Sequence, residues 1–157
     1  MRIVAKEEQK RFWEMFDEAL IQNGEPFYAL HEMGGKTTHW AVINKNHALV
    51  DMALSIDFLV QKKIVRINIY MRDDIPLYNY LYSKRGEIEA KLGFSPSWND
   101  NCQKPNTRRI EYIIPFVPGN LEDYDRVLDI ALPIVEKFRT VFGAYIPNLF
   151  DSEYSLN

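Results

Sequence analysis

The sequence predicts an α+β domain in which an antiparallel sheet carries helices on one face, in the order α-β-β-β-β-α-β-β-α. Three observations carry that prediction. Within residues 63–72, side chains alternate between an apolar face and a more polar one from Val65 to Arg72, the period of a strand with one buried face. Over residues 5–22, and again from about 121 to 142, apolar side chains return every three or four positions, the period of an amphipathic helix. Between these segments stand glycine, proline and Asn/Asp signals spaced for turns, and no run reads as a linker, repeat or low-complexity stretch.

The elements follow in order. Phe12, Trp13, Phe16, Ala19 and Leu20 mark the buried stripe of the first helix, and Asn23-Gly24 with Pro26 ends it. Residues 27–31 read as a short strand and 38–44 as a second, with Lys45-Asn46 as a hairpin turn. The strand over 48–56 places Val50, Met52, Leu54 and Ile56 on one face, opposite Asp51, Ala53 and Ser55. The strand over 63–72 turns Val65, Ile67, Ile69 and Met71 inward and leaves Arg66, Asn68, Tyr70 and Arg72 on its polar face. A one-residue slip would expose all four apolar residues, so the register is firm.

Asp73 or Asp74 then caps a helix with Pro76 in its first turn, where proline costs little. Leu77, Leu81, Ile88 and Leu92 form its stripe, Gly86 sits inside it at a cost of roughly 1 kcal/mol, and Gly93 stops it. Residues 94–98 read as a short strand and 99–106 as a polar loop. The strand over 108–116 turns Ile110, Tyr112 and Ile114 to one face. Gly119-Asn120 caps the last helix, whose apolar side runs from Val127 to Phe142; Pro133 is expected to kink or split it and Gly143 to stop it. Residues 144–157 read as an irregular tail. A chain of 157 residues suits one domain, with its core over about 5–143.

Composition narrows the function classes. No apolar run approaches the roughly 20 residues of a membrane span, and the N-terminus has no apolar signal core, so the simplest expectation is a cytoplasmic protein with no membrane partner. The single cysteine excludes an intrachain disulfide framework. A net charge of −3 argues against binding nucleic acid by bulk charge. The charge is uneven, however: residues 62–109 hold ten basic side chains against five acidic ones. A solvated strand face and helix face explain that excess as readily as a binding surface does.

Most chemical motifs fail on geometry. Gly35-Lys36-Thr37 resembles the end of a phosphate loop, but a strand follows it where the motif needs a helix N-terminus. His31, His39 and His47 fall eight residues apart; an extended stretch over 39–44 spans roughly 16 Å, which parts His39 from His47. No metal site and no cofactor is expected. Glu89-Ala90-Lys91 mimics a nuclease tail, yet two residues apart on a helix do not face one another. Cys102 has no histidine near it in sequence, and nothing singles out a catalytic base, so no catalytic residue is named. What remains is a set of binding candidates: Arg66, Asn68, Tyr70 and Arg72 on the strand face, with Lys84, Arg85, Arg108 and Arg109 extending it if they lie nearby. Arginine and tyrosine both stack on bases, and arginine also pairs phosphates.

Several features recur together. They are Arg11-Phe12-Trp13 with Phe16, then Val65-Arg66-Ile67-Asn68-Ile69-Tyr70, then Leu81, Lys84, Ile88-Glu89, Leu92-Gly93, Trp98 and Arg109-Ile110. In these, over roughly residues 8 to 142, the chain resembles the bacterial and archaeal family catalogued as domain of unknown function 4268. Members of that family often stand C-terminal to nuclease-like domains. The resemblance therefore implies a nucleic-acid or genome-defence setting, with nucleic acid or a nuclease-type protein as partner, and it assigns no catalytic residue. The expectation is a non-catalytic binding module. The alternatives are a homodimeric protein-interaction or chaperone-like domain and an enzyme without a recognisable motif.

Overall fold

A computed structural model of the chain describes residues 5–22, 40–44, 52–102 and 104–146. The expected strand over 27–31, the Lys45-Asn46 turn, the three histidines and the tail beyond 146 lie outside the described residues. Helix α1 is Ala5–Gln22, strands β1, β2 and β3 are Trp40–Asn44, Met52–Leu59 and Ile64–Arg72, and helices α2 and α3 are Ile75–Ser83 and Arg85–Leu92. Strands β4 and β5 are Ser97–Asn99 and Thr107–Pro115, and helix α4 is Leu121–Tyr145. The strands form one antiparallel sheet in the order β1-β2-β3-β5-β4. The fold is α+β, with the described helices packed on one face of the sheet.

That face is apolar because the strands alternate. Leu54, Ile56 and Phe58 of β2, Val65, Ile67, Ile69 and Met71 of β3, and Ile110 and Ile114 of β5 are all buried. Phe12 of α1 stacks on Phe58 with ring centroids 4.2 Å apart, and Phe58 stacks on Phe116 at 4.8 Å. Tyr124 of α4 meets Phe12, Phe58 and Phe116 edge-on. Each buried ring of this kind contributes roughly 1.5–3 kcal/mol through the water it sheds. At the polar end of the cluster the Tyr124 hydroxyl donates to Glu8 Oε1 at 2.5 Å and accepts from Gly119 N at 2.9 Å. A buried carboxylate on α1 is thereby tied to α4.

Two expectations about helices are corrected, and one open alternative is resolved. The single helix expected after β3 is two, parted at Lys84, whose N–H reaches back to Leu81 O at 3.0 Å, a tighter i→i−3 bond. Asp74 rather than Asp73 is the cap: its Oδ1 accepts from Leu77 N at 3.2 Å. Helix α4 runs through Pro133 as one element and passes Gly143 to end at Tyr145. Pro133 is exposed, and so is Asp129, whose carbonyl loses its i+4 partner there because proline has no N–H. Gly93 does end α3, with φ +84°, and Lys137 Nζ donates to the Leu92 carbonyl at 2.9 Å.

Candidate functional site

The sheet has a second face, opposite the helices. Antiparallel register sets which side chains share it. Arg66 lies between Asp57 of β2 and Ile113 of β5, Asn68 between Ser55 and Glu111, Tyr70 between Ala53 and Arg109, and Arg72 beside Thr107. On β4, Ser97 and Asn99 stand opposite Glu111 and Arg109. Of the residues singled out from sequence, Arg66, Asn68, Tyr70, Arg72 and Arg109 are thus brought together.

This face is not a bare basic platform. Asn68 is 0% exposed, and Asp57 and Glu111 are each 6% exposed. Arg66 Nε donates to Asp57 Oδ2 at 2.7 Å and lies 3.8 Å from Glu111 Oε2. Asn68 Nδ2 lies within hydrogen-bond reach of the Ser55 carbonyl (3.3 Å), Ser55 Oγ (3.2 Å) and Asp57 Oδ2 (3.3 Å). Carbonyl and carboxylate oxygens only accept, so these partners orient the amide unambiguously. Asn99 Nδ2 donates to Glu111 Oε1 at 3.3 Å. Arg66 and Arg109 balance Asp57 and Glu111, and Arg66 is engaged by carboxylates where a phosphate clamp would need it free.

Some polar atoms of the cluster have no hydrogen-bond partner. Asn68 Oδ1, Glu111 Oε2, Thr107 Oγ1 and Arg109 Nε are all buried without a hydrogen bond, although Glu111 Oε2 faces Arg66 Nε at 3.8 Å. Buried polar atoms are nearly always paired, so a concentration of orphans on one face asks for an explanation. Beside them the Arg109 guanidinium lies over the half-buried Tyr70 ring, 5.1 Å from its centroid. Cys102 stands at the rim, its Sγ 3.9 Å from the Asn99 carbonyl. Burial pushes the Cys102 thiol up, against the pull of Arg109, Arg66 and Arg108, which leaves it a thiol and a poor nucleophile at neutral pH. Among the described residues no three His, Cys, Asp or Glu side chains gather as metal ligands.

Lys84 and Arg108 belong elsewhere. Arg108 is paired with Met71 on the helix-bearing side of the sheet, where its guanidinium lies 6.0 Å from the Tyr78 ring centroid. Alternation requires this: with Ile110, Tyr112 and Ile114 turned inward, Arg108 shares their side and Arg109 and Glu111 take the other. Tyr78 stacks on Tyr82, one helical turn later, at 6.1 Å and 14°. Trp98 meets both rings edge-on, at 6.2 and 5.6 Å, and its Nε1 donates to Glu89 Oε2 at 2.9 Å. Arg85 lies over the Tyr82 ring at 4.1 Å, and Lys84 is exposed beside it. Tyr80 and Tyr82 are 47% and 41% exposed. The result is a strip of aromatic and cationic groups, Arg108, Tyr78, Tyr82 and Arg85, along one side of α2 and the α2–α3 junction; Tyr80, two residues from Tyr82, points to another side of the helix. Sequence reasoning offered Arg109 as an extension of the strand face, where it lies beside Tyr70, and missed Asp57 and Glu111 as members of the first cluster, although the alternation of β5 contained the signal for Glu111. It missed Tyr78 and Tyr82 as members of the strip, although their four-residue spacing put them on one helix side, and it offered Arg85 as an extension of the strand face, whereas Arg85 lies over Tyr82.

Among the described residues no helix is long and apolar enough to cross a membrane. The family model described as "Domain of unknown function (DUF4268)" matches residues 8–146. No curated protein and no solved structure matches the chain.

Proposed function

The chain belongs to the DUF4268 family, and from that premise we propose that it is a non-catalytic binding module that takes single-stranded nucleic acid along the strip of Tyr82, Lys84, Arg85 and Arg108. The observation that carries the reading is the exposed Tyr82 ring with Arg85 over it and Lys84 beside it. Single strands are held by this combination of flat rings for the bases and cations for the backbone. The strip sits within the segment where basic residues outnumber acidic ones two to one. The nucleic-acid setting is also the one the family resemblance implies. The Arg66 face is a weaker candidate for phosphates, because Asp57 and Glu111 already engage its guanidinium.

The test is fluorescence anisotropy with a labelled oligo-dT strand and a duplex of equal length, at low and at physiological salt. The strand should bind more tightly than the duplex, and binding should weaken as salt rises. Removing one stacking ring costs about 1–3 kcal/mol, so Tyr82→Ala should weaken binding roughly five- to a hundredfold. Lys84→Ala and Arg85→Ala should lower both the affinity and its salt dependence. Absence of binding by the unaltered protein at low salt, or three variants that bind as it does, would overturn the reading.

A further inference from the structure

We infer, resting on the single-strand reading, that Glu89 is a positioning residue for the aromatic strip: acting through the Trp98 indole, it holds the Tyr82 ring in the pose that receives a base. Helix α3 ends one turn after Glu89, where Gly93, at φ +84°, turns the chain back. The returning segment brings Ser95 and Trp98 to the Glu89 carboxylate. Ser95 Oγ donates to Oε1 at 3.2 Å, and Trp98 Nε1 donates to Oε2 at 2.9 Å. Each carboxylate oxygen therefore has its own donor. Hydrogen bonds to an ionised acceptor are stronger than those between neutral groups, so the indole is fixed in place.

The indole carries that order to the strip. It meets the Tyr82 ring edge-on at 5.6 Å and 80°, and the Tyr78 ring at 6.2 Å and 71°. Edge-to-face contacts of this kind are directional, so they set a ring's orientation as well as covering it. Tyr82 is 41% exposed, and much of its surface has no protein neighbour to do the same. A ring that is ordered before the strand arrives spares the complex the cost of ordering it on binding. Charge makes the role of Glu89 stand out. A carboxylate beside a strip that takes phosphates repels them, which opposes binding. Its two hydrogen bonds give that carboxylate a reason to be there, and they separate its shape from its charge: a neutral acceptor would hold the indole without the repulsion.

The test compares Glu89→Ala with Glu89→Gln in the full chain. Both remove the charge, and only the second keeps an oxygen that accepts from the indole. Two readouts are taken: anisotropy with the labelled oligo-dT strand, and hydrogen exchange at the Trp98 indole N–H, followed by NMR and assigned by its absence in Trp98→Phe. Glu89→Ala should speed that exchange about tenfold or more, because a hydrogen bond to a charged group is lost. It should also weaken the strand about two- to tenfold, the cost of ordering one large side chain on binding. Glu89→Gln should keep the slow exchange and bind the strand at least as tightly as the unaltered chain. The circular dichroism spectrum should be the same for all three. Tighter binding by both variants would make Glu89 a mere repelling charge, and equal weakening of both would make its charge, not its hydrogen bonds, the requirement. Either result, or an indole exchange that Glu89→Ala leaves slow, would overturn the inference while Tyr82→Ala still weakens the strand and the single-strand reading stands. If the unaltered chain binds no strand, that reading fails and the positioning role falls with it.

Discussion

Gly86 and Gly93 stand seven residues apart, and opposite physics governs them. Gly93 has φ +84°, a conformation that a side chain makes costly, and it ends α3 there. Gly86 lies in the first turn of α3, and a Cβ built on it meets nothing within 4 Å. No neighbour needs that position empty, so its only effect is to loosen the unfolded chain and weaken the helix. Gly86→Ala should therefore raise stability by about 0.5–1 kcal/mol. Urea unfolding would check this as a higher midpoint with an unchanged slope. Arg66 illustrates what one strand's sequence conceals. Its place on the polar face is legible from alternation, whereas its engagement by Asp57 and Glu111 depends on two neighbouring strands, 9 and 45 residues away in the chain. A residue that reads as a ligand-binding cation is, in the fold, half of an internal ion pair.

At the scale of elements, local periodicity was informative and local irregularity was not. The period-2 alternation of β3 and β5 and the apolar stripe of α1 correspond closely to the observed elements. The break between α2 and α3 was illegible because Leu77, Leu81, Ile88 and Leu92 keep a helical rhythm straight across it. One tightened turn at Lys84 leaves that rhythm intact. Helix α4 outlasts both Pro133 and Gly143 because its buried face, from Tyr124 to Phe142, outweighs two weak positions on the other side. The tie between α1 and α4 yields a pH prediction. Burial pushes Tyr78 up to about 12, and burial with the Glu8 hydrogen bond pushes Tyr124 higher still. Above pH 10 the unfolded chain has released tyrosine protons that the native chain retains, so stability falls as pH rises. The contribution is complete below pH 10 and is lost as pH climbs through and beyond 12. Urea midpoints between pH 9 and 11.5 should show the decline. Tyr124→Phe should flatten it and cost about 1–2 kcal/mol at pH 7, since Glu8 loses its donor.

At the scale of the whole molecule, the chain separates two kinds of surface that the sequence places almost side by side. Residues 66–72 and 78–85 are near neighbours in the chain, yet the sheet lies between the polar face and the aromatic strip. Strand order explains why this was illegible: β5 inserts between β3 and β4, and only long-range pairing decides that. The strip is also where a second copy would dock if the chain dimerises, since tyrosine, tryptophan and arginine dominate protein interfaces. The single-strand reading expects light scattering to give a monomer at micromolar concentration. A dimer that Tyr82→Ala dissociates would replace nucleic acid with a second copy as the strip's occupant.

The outer side of β5 has a further consequence. Strand β4 pairs with Arg109, Ile110 and Glu111 and stops, while β5 continues to Pro115. Among the described residues, the last third of β5 is thus a sheet edge with Ile113 exposed, the kind of edge on which stray strands polymerise. Its end is blunted twice. Pro115 has no N–H to offer an incoming strand, and Arg126 Nη2 occupies the Pro115 carbonyl at 2.7 Å. The first turns of α4 therefore guard the sheet against edge-to-edge aggregation as well as covering its core.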